Sequence, residues 1–346
     1  MKTLKVGIIG SGGIAQAVHI PGYLKLPDVQ VVALCDTNRE TLKQAAEKFG
    51  VKQTFSDWRA MLRKVEPDIV SVCTPNAHHM APTVGALEAG VHCLVEKPLA
   101  IGAAQARRMC DAAKKARRLL MVGQNNRYRP DVQYLKRAAK KGDFGEFYFG
   151  EALCVRRRGI PAWGTFIEKK HSGGGALFDL GVHALDMAWY IMGHPKPVTV
   201  SGATYAKFGP RKDVVQGMGK FDPKRFDVDD LGVGFIRFAN GATLVLQSSW
   251  AGNLQDEFSV SLLGTEGGFT TSPFVVYTEA NGSLVNVTPV NLPHVETHAE
   301  EIRLFVEAIR KGLPSPIPGE QGLVTTAMLE GIYRSSGLGR EVRLEV

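Results

Sequence analysis

The sequence predicts an α/β protein with two domains: a doubly wound parallel sheet, followed by an α+β domain with an open, largely antiparallel sheet. Three observations lead to this prediction. The 346 residues exceed what a single domain usually contains. Short apolar runs alternate with helical periodicity up to about residue 123, and strand-like runs dominate after residue 125. We therefore place the domains at residues 1–125 and 126–346, with the last helices packing back toward the first domain.

Apolar runs and amphipathic stretches alternate in the first domain. This alternation is typical of βαβ units, whose right-handed crossovers place helices on both faces of a parallel sheet. The predicted strands are 4–9, 29–35, 68–73, 91–95 and 119–122, and the predicted helices are 14–25, 39–49, 57–64, 79–89 and 102–117.

The second domain has a different order of elements. An Asn240-Gly241 pair separates two of its strand-like runs and predicts a hairpin turn in which both residues take positive φ. The predicted elements are helix 131–141, strand 146–155, a glycine-rich helical segment at 172–192, strands 197–208, 231–238, 242–249, 257–263 and others to about 287, and helices 299–311 and 320–335.

The composition excludes several classes of protein. A hydrophobic content of 44% with 22% charged residues is typical of a globular chain and not of a disordered one. No apolar run could span a bilayer and no signal peptide is apparent, so we expect a cytoplasmic protein without membrane contact. The five cysteines lack C-x-x-C spacing, which predicts buried thiols and no metal site. The net charge of +8 lies in scattered pairs without a nucleic-acid motif, so no nucleic-acid partner is expected.

A glycine-rich turn, G-x-G-x-x-A, follows the first predicted strand and opens a helix. Gly10 permits a tight turn, Gly12 lets backbone N–H groups approach a pyrophosphate, and Ala15 allows close packing of helix and strand. The helix N-terminus attracts the anion. We assign Gly10, Gly12, Gly13 and Ile14 to the binding of a dinucleotide.

Asp36 ends the second predicted strand, 26 residues after Gly10. A carboxylate at this position accepts hydrogen bonds from the adenine-ribose hydroxyls and repels a 2′-phosphate, which predicts NAD over NADP. Arg39 is close enough to complicate this preference, and we include it among the cofactor-binding candidates. The alternative role for Asp36 is that of a helix N-cap.

Three further segments follow the carboxyl ends of predicted strands, where doubly wound sheets bind their ligands. They are the run T-P-N-A-H-H at 74–79, the run E-K-P at 96–98, and the segment 124–130. The remaining histidines carry no clear functional signal. The cofactor-binding candidates in these segments are Thr74, Pro75, Asn76, His79, Glu96, Lys97 and Gln124.

These motifs, together with the run G-G-G-A-L-F-D-L-G-V-H-A-L-D at 173–186, resemble the glucose–fructose oxidoreductase / inositol dehydrogenase (Gfo/Idh/MocA) family over nearly the whole chain. The resemblance implies a Rossmann domain that binds NAD, and a catalytic group of Lys97, Asp179 and His183 beside the nicotinamide. It also implies a dimer or tetramer joined at the sheet of the second domain, and a Lys97–Pro98 bond that is often cis in the family.

The residue types of this group suit the oxidation of an alcohol. Asp179 and His183 are four residues apart, so a helical segment presents both on one face. A carboxylate beside an imidazole makes the ring a better proton acceptor, and alcohol oxidation needs a base at the hydroxyl. The Lys97 cation would stabilise alkoxide character on the same oxygen.

Sugars bind through hydrogen bonds and an aromatic platform. The candidate substrate contacts are therefore Arg127, Arg156, Trp163, Asp179 and His183, although a solvated loop is an equally good interpretation of the segment 156–166. The predicted function is the transfer of hydride between NAD and a secondary alcohol of a sugar, a glycoside or a cyclitol such as inositol.

Two alternatives remain open at this stage. One is a redox-neutral NAD-dependent glycoside hydrolase, lyase or epimerase that oxidises its substrate transiently. The other is a non-catalytic NAD-binding regulator. Lys97, Asp179 and His183 argue against a regulator, because a sensor needs no base.

The strands of the second domain predict self-association. Val233 and Phe235 alternate with Ile236, and Leu244 alternates with Val245, so neither strand has a wholly polar side. A monomer rarely exposes an apolar face of that size. We therefore expect a homodimer or a homotetramer, with twofold symmetry as the commonest arrangement.

Overall fold

A computed structural model of the protein describes residues 2–345, which form two compact units. The first unit runs from the N-terminus to Asn125 and also includes Glu296–Leu323. The second comprises Asn126–Val295 and the chain from Val324 onward. Each unit is therefore built from two separate stretches of sequence.

Strands and helices account for most of the described chain. The strands are β1 Leu4–Ile9, β2 Val29–Cys35, β3 Gln53–Phe55, β4 Ile69–Val72, β5 His92–Glu96, β6 Leu120–Gly123, β7 Phe147–Val155, β8 Pro197–Tyr205, β9 Leu231–Phe238, β10 Thr243–Ser249, β11 Glu257–Gly264, β12 Gly268–Thr271, β13 Phe274–Ala280, β14 Ser283–Val287 and β15 Val342–Arg343. The α-helices are α1 Ile20–Leu24, α2 Arg39–Phe49, α3 Trp58–Val65, α4 Met80–Glu88, α5 Ala103–Ala116, α6 Pro130–Lys141, α7 Lys169–Ser172, α8 Val182–Ile191, α9 Thr297–Lys311 and α10 Gly319–Leu338. In residues 2–345, no helix combines the length and the apolar character needed to cross a bilayer.

The first unit contains a six-stranded parallel sheet in the order β3-β2-β1-β4-β5-β6. From β1 the chain adds β2 and β3 on one side of the sheet and then β4, β5 and β6 on the other, so the strand order reverses between β1 and β4. Doubly wound folds bind ligands at the carboxyl ends of the strands at such a point. The predicted doubly wound sheet is confirmed. β3 was not predicted, because this edge strand is short and two of its three residues are exposed, so it shows no apolar run.

The helix predicted at 14–25 begins differently from the prediction. A π-helical turn, Ala15–His19, precedes α1. The N-cap of α2 is Asn38, whose side chain accepts hydrogen bonds from the N–H groups of Glu40 and Thr41. The alternative role of Asp36 as a helix N-cap is therefore wrong.

The second unit contains a nine-stranded sheet in the order β14-β13-β12-β11-β7-β10-β9-β8-β15. β7 and β10 pair in parallel, and the other neighbouring pairs are antiparallel, which confirms the predicted open, largely antiparallel sheet. α8 packs on β7 and β11, and α6 packs on α8. Ala152, Ile236, Leu244, Leu246 and Leu262 are fully buried in this core.

The predicted hairpin at Asn240-Gly241 joins β9 to β10 in antiparallel register. Gly241 has a φ of +88°, whereas Asn240 is not among the residues with positive φ. The Gly241 N–H donates to the Phe238 carbonyl, and the Phe238 N–H donates to the Ala242 carbonyl. The hairpin is confirmed, but the expectation of positive φ at both residues is wrong, because a three-residue loop needs the left-handed conformation only at its last position.

Candidate functional site

The glycine-rich turn after β1 is closed at one end and open at the other. Gly10 has a φ of +88°, and a Cβ atom there would lie 2.7 Å from the Cys73 carbonyl carbon. At Gly12 and Gly13 a Cβ atom would meet nothing within 4 Å. Ile14, the next residue, is 37% exposed. The turn therefore leaves room for a phosphate group to approach its backbone N–H groups.

The Asp36 carboxylate is fixed against this turn. Its Oδ2 accepts hydrogen bonds from the Ser11 backbone N–H at 2.8 Å and from Ser11 Oγ at 3.1 Å. Its Oδ1 accepts one from the Asn38 N–H at 2.8 Å. Arg39, the first residue of α2, is exposed. The structure thus holds a negative charge beside the turn, as a ribose-binding carboxylate requires.

Two candidate residues carry buried polar atoms that a ligand could satisfy. Both amide atoms of Gln124 and the hydroxyl of Thr74 are buried and have no hydrogen-bond partner among the described residues. Such groups are rare in folded proteins, because leaving them unpaired is costly. Pro75 and Asn76 follow Thr74 and begin a 3₁₀ turn, Asn76–His78. Together with the open glycine-rich turn, these groups fit a nicotinamide dinucleotide.

His79 is fully buried and links two of the predicted segments. Its Nδ1 lies 2.9 Å from the Pro98 carbonyl oxygen, and its Nε2 lies 2.8 Å from the Thr74 carbonyl oxygen. Burial holds the pKa of His79 below its usual value, although the two carbonyl groups oppose this effect. With both ring nitrogens on the backbone, His79 joins the Thr74 and Pro98 segments to each other. The Lys97–Pro98 bond is cis.

Glu96 forms a buried ion pair with His19. Its Oε1 lies 2.8 Å from His19 Nε2, and its Oε2 accepts a hydrogen bond from the Lys97 backbone N–H at 3.2 Å. Burial alone would raise the pKa of Glu96, but the hydrogen bond and charge of His19, helped by Lys97, lower it to about 2. Burial lowers the pKa of His19, but Cys73 and Glu96 outweigh it and raise this pKa well above 6.5. The pair anchors the backbone of Lys97.

Replacement of Glu96 by Gln tests this ion pair. Because the folded-state pKa of Glu96 is about 2 and its ordinary value is 4.5, the carboxylate stabilises the fold above pH 4.5 and loses this effect as the pH falls toward 2. His19, whose pKa is raised, contributes fully below pH 6.5 and less as the pH rises through its folded-state pKa. Near pH 6 we expect the variant to lose about 2 kcal/mol of unfolding free energy, which lowers Tm by about 4–8 °C.

The measurement is thermal unfolding of both proteins from pH 7 down to pH 3. The Tm difference should shrink on acidification, and the exposed Glu88→Gln change should leave Tm nearly unaltered. A Tm difference that stays constant over the acid range would show that the carboxylate carries no charge-dependent stabilisation.

The start of α9 belongs to the first unit, like Glu96 and Lys97, and lies beside Asn125. Asn125 Nδ2 donates to Thr297 Oγ1 at 2.8 Å and lies 3.5 Å from His298 Nδ1. Burial lowers the pKa of His298, while the charge of Glu96 raises it and that of Lys97 lowers it further. His298 is therefore an electrostatic neighbour of the E-K-P segment, which sequence analysis had not indicated.

In the second unit, Asp179 and His183 are the two residues of their segment that reach the surface. From Gly174 to Trp189, every other residue is buried. Asp179 lies in a π-helical turn, Leu177–Gly181, and His183 lies in the first turn of α8. The predicted single helix over 172–192 is therefore a short α7, a glycine-rich break, a π turn and then α8.

Two side chains that sequence analysis missed orient this pair. Trp250 is fully buried, and its Nε1–H donates to Asp179 Oδ2 at 2.9 Å. Asn126 Nδ2 lies 3.0 Å from His183 Nδ1. A fixed carboxylate and a fixed imidazole on a rigid element are the arrangement that proton transfer requires.

Asp229 holds the backbone just before the π turn. Its carboxylate accepts hydrogen bonds from the N–H groups of Gly175 at 2.7 Å and Leu177 at 3.2 Å, and from the Tyr333 hydroxyl. Burial raises the pKa of Asp229, although these hydrogen bonds act in the opposite direction. A Cβ atom at Gly175 would lie 1.8 Å from the Asp229 carbonyl oxygen, so only glycine fits there.

The predicted substrate contacts in this unit differ in accessibility. Arg127 is 2% exposed, and its guanidinium donates to both carboxylate oxygens of Asp186 and lies over the Tyr190 ring. This geometry favours a structural role for Arg127 over the predicted substrate contact. Arg156 is partly exposed, with Met218 Sδ 3.7 Å from its Nη1, and Trp163 is 55% exposed.

Lys97 belongs to the first unit, and Asp179 and His183 belong to the second. Within the first unit the structure brings together the candidates at the ends of β1, β4, β5 and β6. Among residues 2–345, no group of three His, Cys, Asp or Glu side chains could hold a metal ion.

Comparison with known families identifies both parts of the chain. Residues 4–124 match the family model described as an oxidoreductase family with an NAD-binding Rossmann fold. Residues 132–270 match the GFO/IDH/MocA C-terminal domain. The chain belongs to the Gfo/Idh/MocA family. The resemblance inferred from the motifs is therefore confirmed, as is the NAD-binding Rossmann domain.

Several members of the Gfo/Idh/MocA family are similar over most of the chain. D-glucoside 3-dehydrogenase of Escherichia coli (strain K12) is 37% identical over 99% of this chain and 97% of that protein. Levoglucosan dehydrogenase of Pseudarthrobacter phenanthrenivorans is 30% identical over 77% of this chain and 73% of that protein. A solved structure of levoglucosan dehydrogenase in complex with NADH and levoglucosan has a TM-score of 0.84 at 25% identity, covering 99% of this chain and 100% of that chain.

Proposed function

We propose that this protein is an NAD-dependent dehydrogenase that oxidises a secondary alcohol of a sugar, a glycoside or a cyclitol. The observation that carries this proposal is the pair Asp179 and His183, which alone reach the surface in an otherwise buried segment and are each oriented by another side chain. The names of the relatives, which include a D-glucoside 3-dehydrogenase and a levoglucosan dehydrogenase, support the substrate class.

The residues that would hold the cofactor lie in the first unit. They are Gly10, Gly12, Gly13, Ile14, Asp36, Arg39, Thr74, Pro75, Asn76, Glu96, Lys97 and Gln124, with His79 holding two of their segments together. When bound, NAD supplies the acceptor for the hydride that leaves the substrate carbon.

The side chains of this protein would manage the proton and the developing charge. His183 takes the proton of the substrate hydroxyl, and the Asp179 carboxylate favours the imidazolium that results. The Lys97 ammonium stabilises the negative charge that develops on the oxygen. Arg156 and Trp163 are the remaining candidates for contacts with the sugar.

The decisive experiment is a substrate screen with NAD. Glycosides, free sugars and inositols would each be incubated with the protein, and NADH formation would be followed by its near-ultraviolet absorbance. We expect NADH with at least one glycoside or cyclitol. Conversion of substrate without net NADH would favour the redox-neutral alternative, and NAD binding without any conversion would favour a regulator.

The choice between NAD and NADP is tested at Asp36. Because its fixed carboxylate would repel a 2′-phosphate, Asp36→Ala or Asp36→Ser should shift the ratio of kcat/KM values toward NADP by at least about tenfold, equal to ~1.4 kcal/mol. Arg39 would then be available to pair with the phosphate. Glu40→Ala, which removes a charge in the same turn of α2, should leave the ratio unchanged. A wild-type protein with lower KM and higher kcat for NADP would contradict this role of Asp36.

We propose that the protein is a homodimer or homotetramer joined at the sheet of the second unit. On β9 and β10, Ile236 and Leu244 are buried, whereas Val233, Phe235 and Val245 remain partly exposed on the other face. These partly exposed apolar side chains support an interface.

Val245→Lys tests this interface, because Glu151 lies opposite on β7 and can pair with the new cation within one chain. We expect light scattering of the wild type to give at least twice the 37.6 kDa monomer mass, and the variant to give a smaller mass. Val215→Lys, in an exposed loop, should leave the mass unchanged. A monomer mass for the wild type at micromolar concentration would contradict the proposal.

We also propose that the protein works in the cytoplasm. All five cysteines are buried thiols, which supports a reducing compartment.

A further inference from the structure

The side chain of Asn126 faces one of the two ring nitrogens of His183. Asn126 Nδ2 lies 3.0 Å from His183 Nδ1, and both residues belong to the second unit. Asn126 sits in the 3₁₀ turn Asn125–Tyr128, whereas His183 is in α8. This contact joins two elements that are 57 residues apart, and it concerns the atom that decides where the ring carries its proton.

The orientation of the Asn126 amide determines the tautomer of a neutral His183. An amide nitrogen can only donate, so with Nδ2 toward the ring, Nδ1 accepts and the proton lies on Nε2. If the amide turns by about 180°, Oδ1 faces the ring, and Nδ1 then carries the proton and donates it. Nε2 has a lone pair for a substrate proton only in the second arrangement.

We propose that Asn126 is the positioning residue that sets the tautomer of His183 and makes its Nε2 the base. The proposal rests on the proposed function. When the substrate is oxidised, its O–H bond breaks and the proton forms the Nε2–H bond. The electron pair left on oxygen forms the C=O bond, and the adjoining carbon would give up its hydride to the proposed NAD. This step takes place with the Asn126 amide turned from the observed orientation, so that Nδ1 carries its own proton and donates it to Asn126 Oδ1. The imidazolium is thereby stabilised on its far side.

An amide suits this position better than a carboxylate or an apolar side chain. The amide can face the ring with its N–H donor in one orientation and with its oxygen acceptor in the other, and the exchange hardly moves the side chain. A carboxylate only accepts, so it would keep the proton on Nδ1 and favour the charged ring. An apolar side chain would leave Nδ1 without the contact that orients the ring.

Asn126 is a direct partner of Nδ1, and charged groups lie on the elements around α8. The π turn contributes Asp179, whose Oδ2 is held by Trp250. On α8 itself, Asp186 is paired with Arg127, and this buried ion pair is 3% and 4% exposed.

The neighbouring elements carry their charges elsewhere. α6, β7 and β11 also pack against α8. On them, Lys136 donates to the Tyr190 carbonyl, and Glu151 and Glu257 are exposed.

Asn126→Asp and Asn126→Leu separate tautomer control from simple packing. Ring ¹⁵N NMR of the substrate-free wild type, in which Nδ2 faces the ring, should show neutral His183 protonated on Nε2. In Asn126→Asp we expect the proton on Nδ1 instead, and the acid limb of kcat/KM to move up by about one pH unit or more. In Asn126→Leu we expect kcat to fall at least about tenfold, though less than the 10²–10⁴-fold cost of losing the base itself, with KM little changed. The His183 signals are assigned with the His183→Gln protein.

Asn240→Asp serves as the matched control, because it adds the same charge at the exposed hairpin turn. It should change neither the His183 signals nor the acid limb. If Asn126→Asp leaves both the ring signals and the acid limb as in the wild type, or if Asn126→Leu keeps wild-type kcat, the proposal is overturned. If the ring signals change as expected but the wild type oxidises no sugar or cyclitol, tautomer control by Asn126 is supported and the proposed function is what fails.

Discussion

Replacement of His183 or Lys97 by alanine is expected to reduce turnover by about 10²–10⁴-fold with little change in the affinity for NAD. The reason is the division of labour in the proposed mechanism. His183 takes the proton of the substrate hydroxyl, and Lys97 stabilises the charge on the same oxygen, whereas the dinucleotide would be held mainly by the glycine-rich turn, Asp36 and Gln124. The loss should therefore appear in kcat and leave the dissociation constant of NAD nearly unaltered.

The measurement combines steady-state kinetics on a substrate from the screen with calorimetric titration of NAD. His294→Ala and Lys196→Ala are the matched controls, since both side chains are exposed and neither belongs to the candidate site. Turnover at the wild-type level in either His183→Ala or Lys97→Ala would contradict the catalytic assignment. Loss of NAD binding in parallel with turnover would move the residue from catalysis to cofactor binding.

Gly175→Ala should destabilise the second unit by more than about 4 kcal/mol, in the range reached only by disruptive core changes. An added Cβ atom would lie 1.8 Å from the Asp229 carbonyl oxygen and 2.8 Å from its carbonyl carbon. Both are backbone atoms, so no side-chain rotation relieves the overlap. The backbone must separate, which breaks the 2.7 Å hydrogen bond from the Gly175 N–H to Asp229 and displaces the π turn that carries Asp179.

Chemical denaturation and turnover would be measured on the same preparations. Gly217→Ala is the control, because a Cβ atom there meets nothing within 4 Å and the residue has no positive φ. We expect Gly217→Ala to unfold and to react like the wild type. A Gly175→Ala protein with wild-type stability and activity would show that the segment does not depend on this close approach.

The parts of the fold that the sequence predicted are those with a local pattern. Five of the six strands of the first sheet are apolar runs, and the glycine-rich turn is a short motif whose first glycine indeed has positive φ. The strands of the second sheet up to β14 were predicted in the same way, whereas the two-residue β15 was not. β3 was missed because an edge strand with exposed side chains has no such pattern, and the turn at Asn240 was misassigned because two loop types share the Asn-Gly signal.

Only part of the candidate site could be predicted from the sequence, because only part of it forms a local pattern. Asp179 and His183 are four residues apart, so their motif could be recognised locally. Their partners, Trp250 and Asn126, lie 71 and 57 residues away. The residues that brace the first unit are just as distant, with His19 lying 77 residues from Glu96.

The sequence by itself determined the two-domain plan of the chain: most of the strand and helix pattern, the dinucleotide-binding turn, and the chemical identity of the residues proposed to react. Only the tertiary structure decided which side chains orient the reacting residues and which buried polar atoms are left for a ligand. It also decided that the Arg127 guanidinium is paired with Asp186. Periodicity and short motifs report on neighbours along the chain, because helices and strands repeat over a few residues. Hydrogen bonds between distant side chains form only after the sheet and helices have packed, and they leave no repeat in the sequence from which they could be predicted.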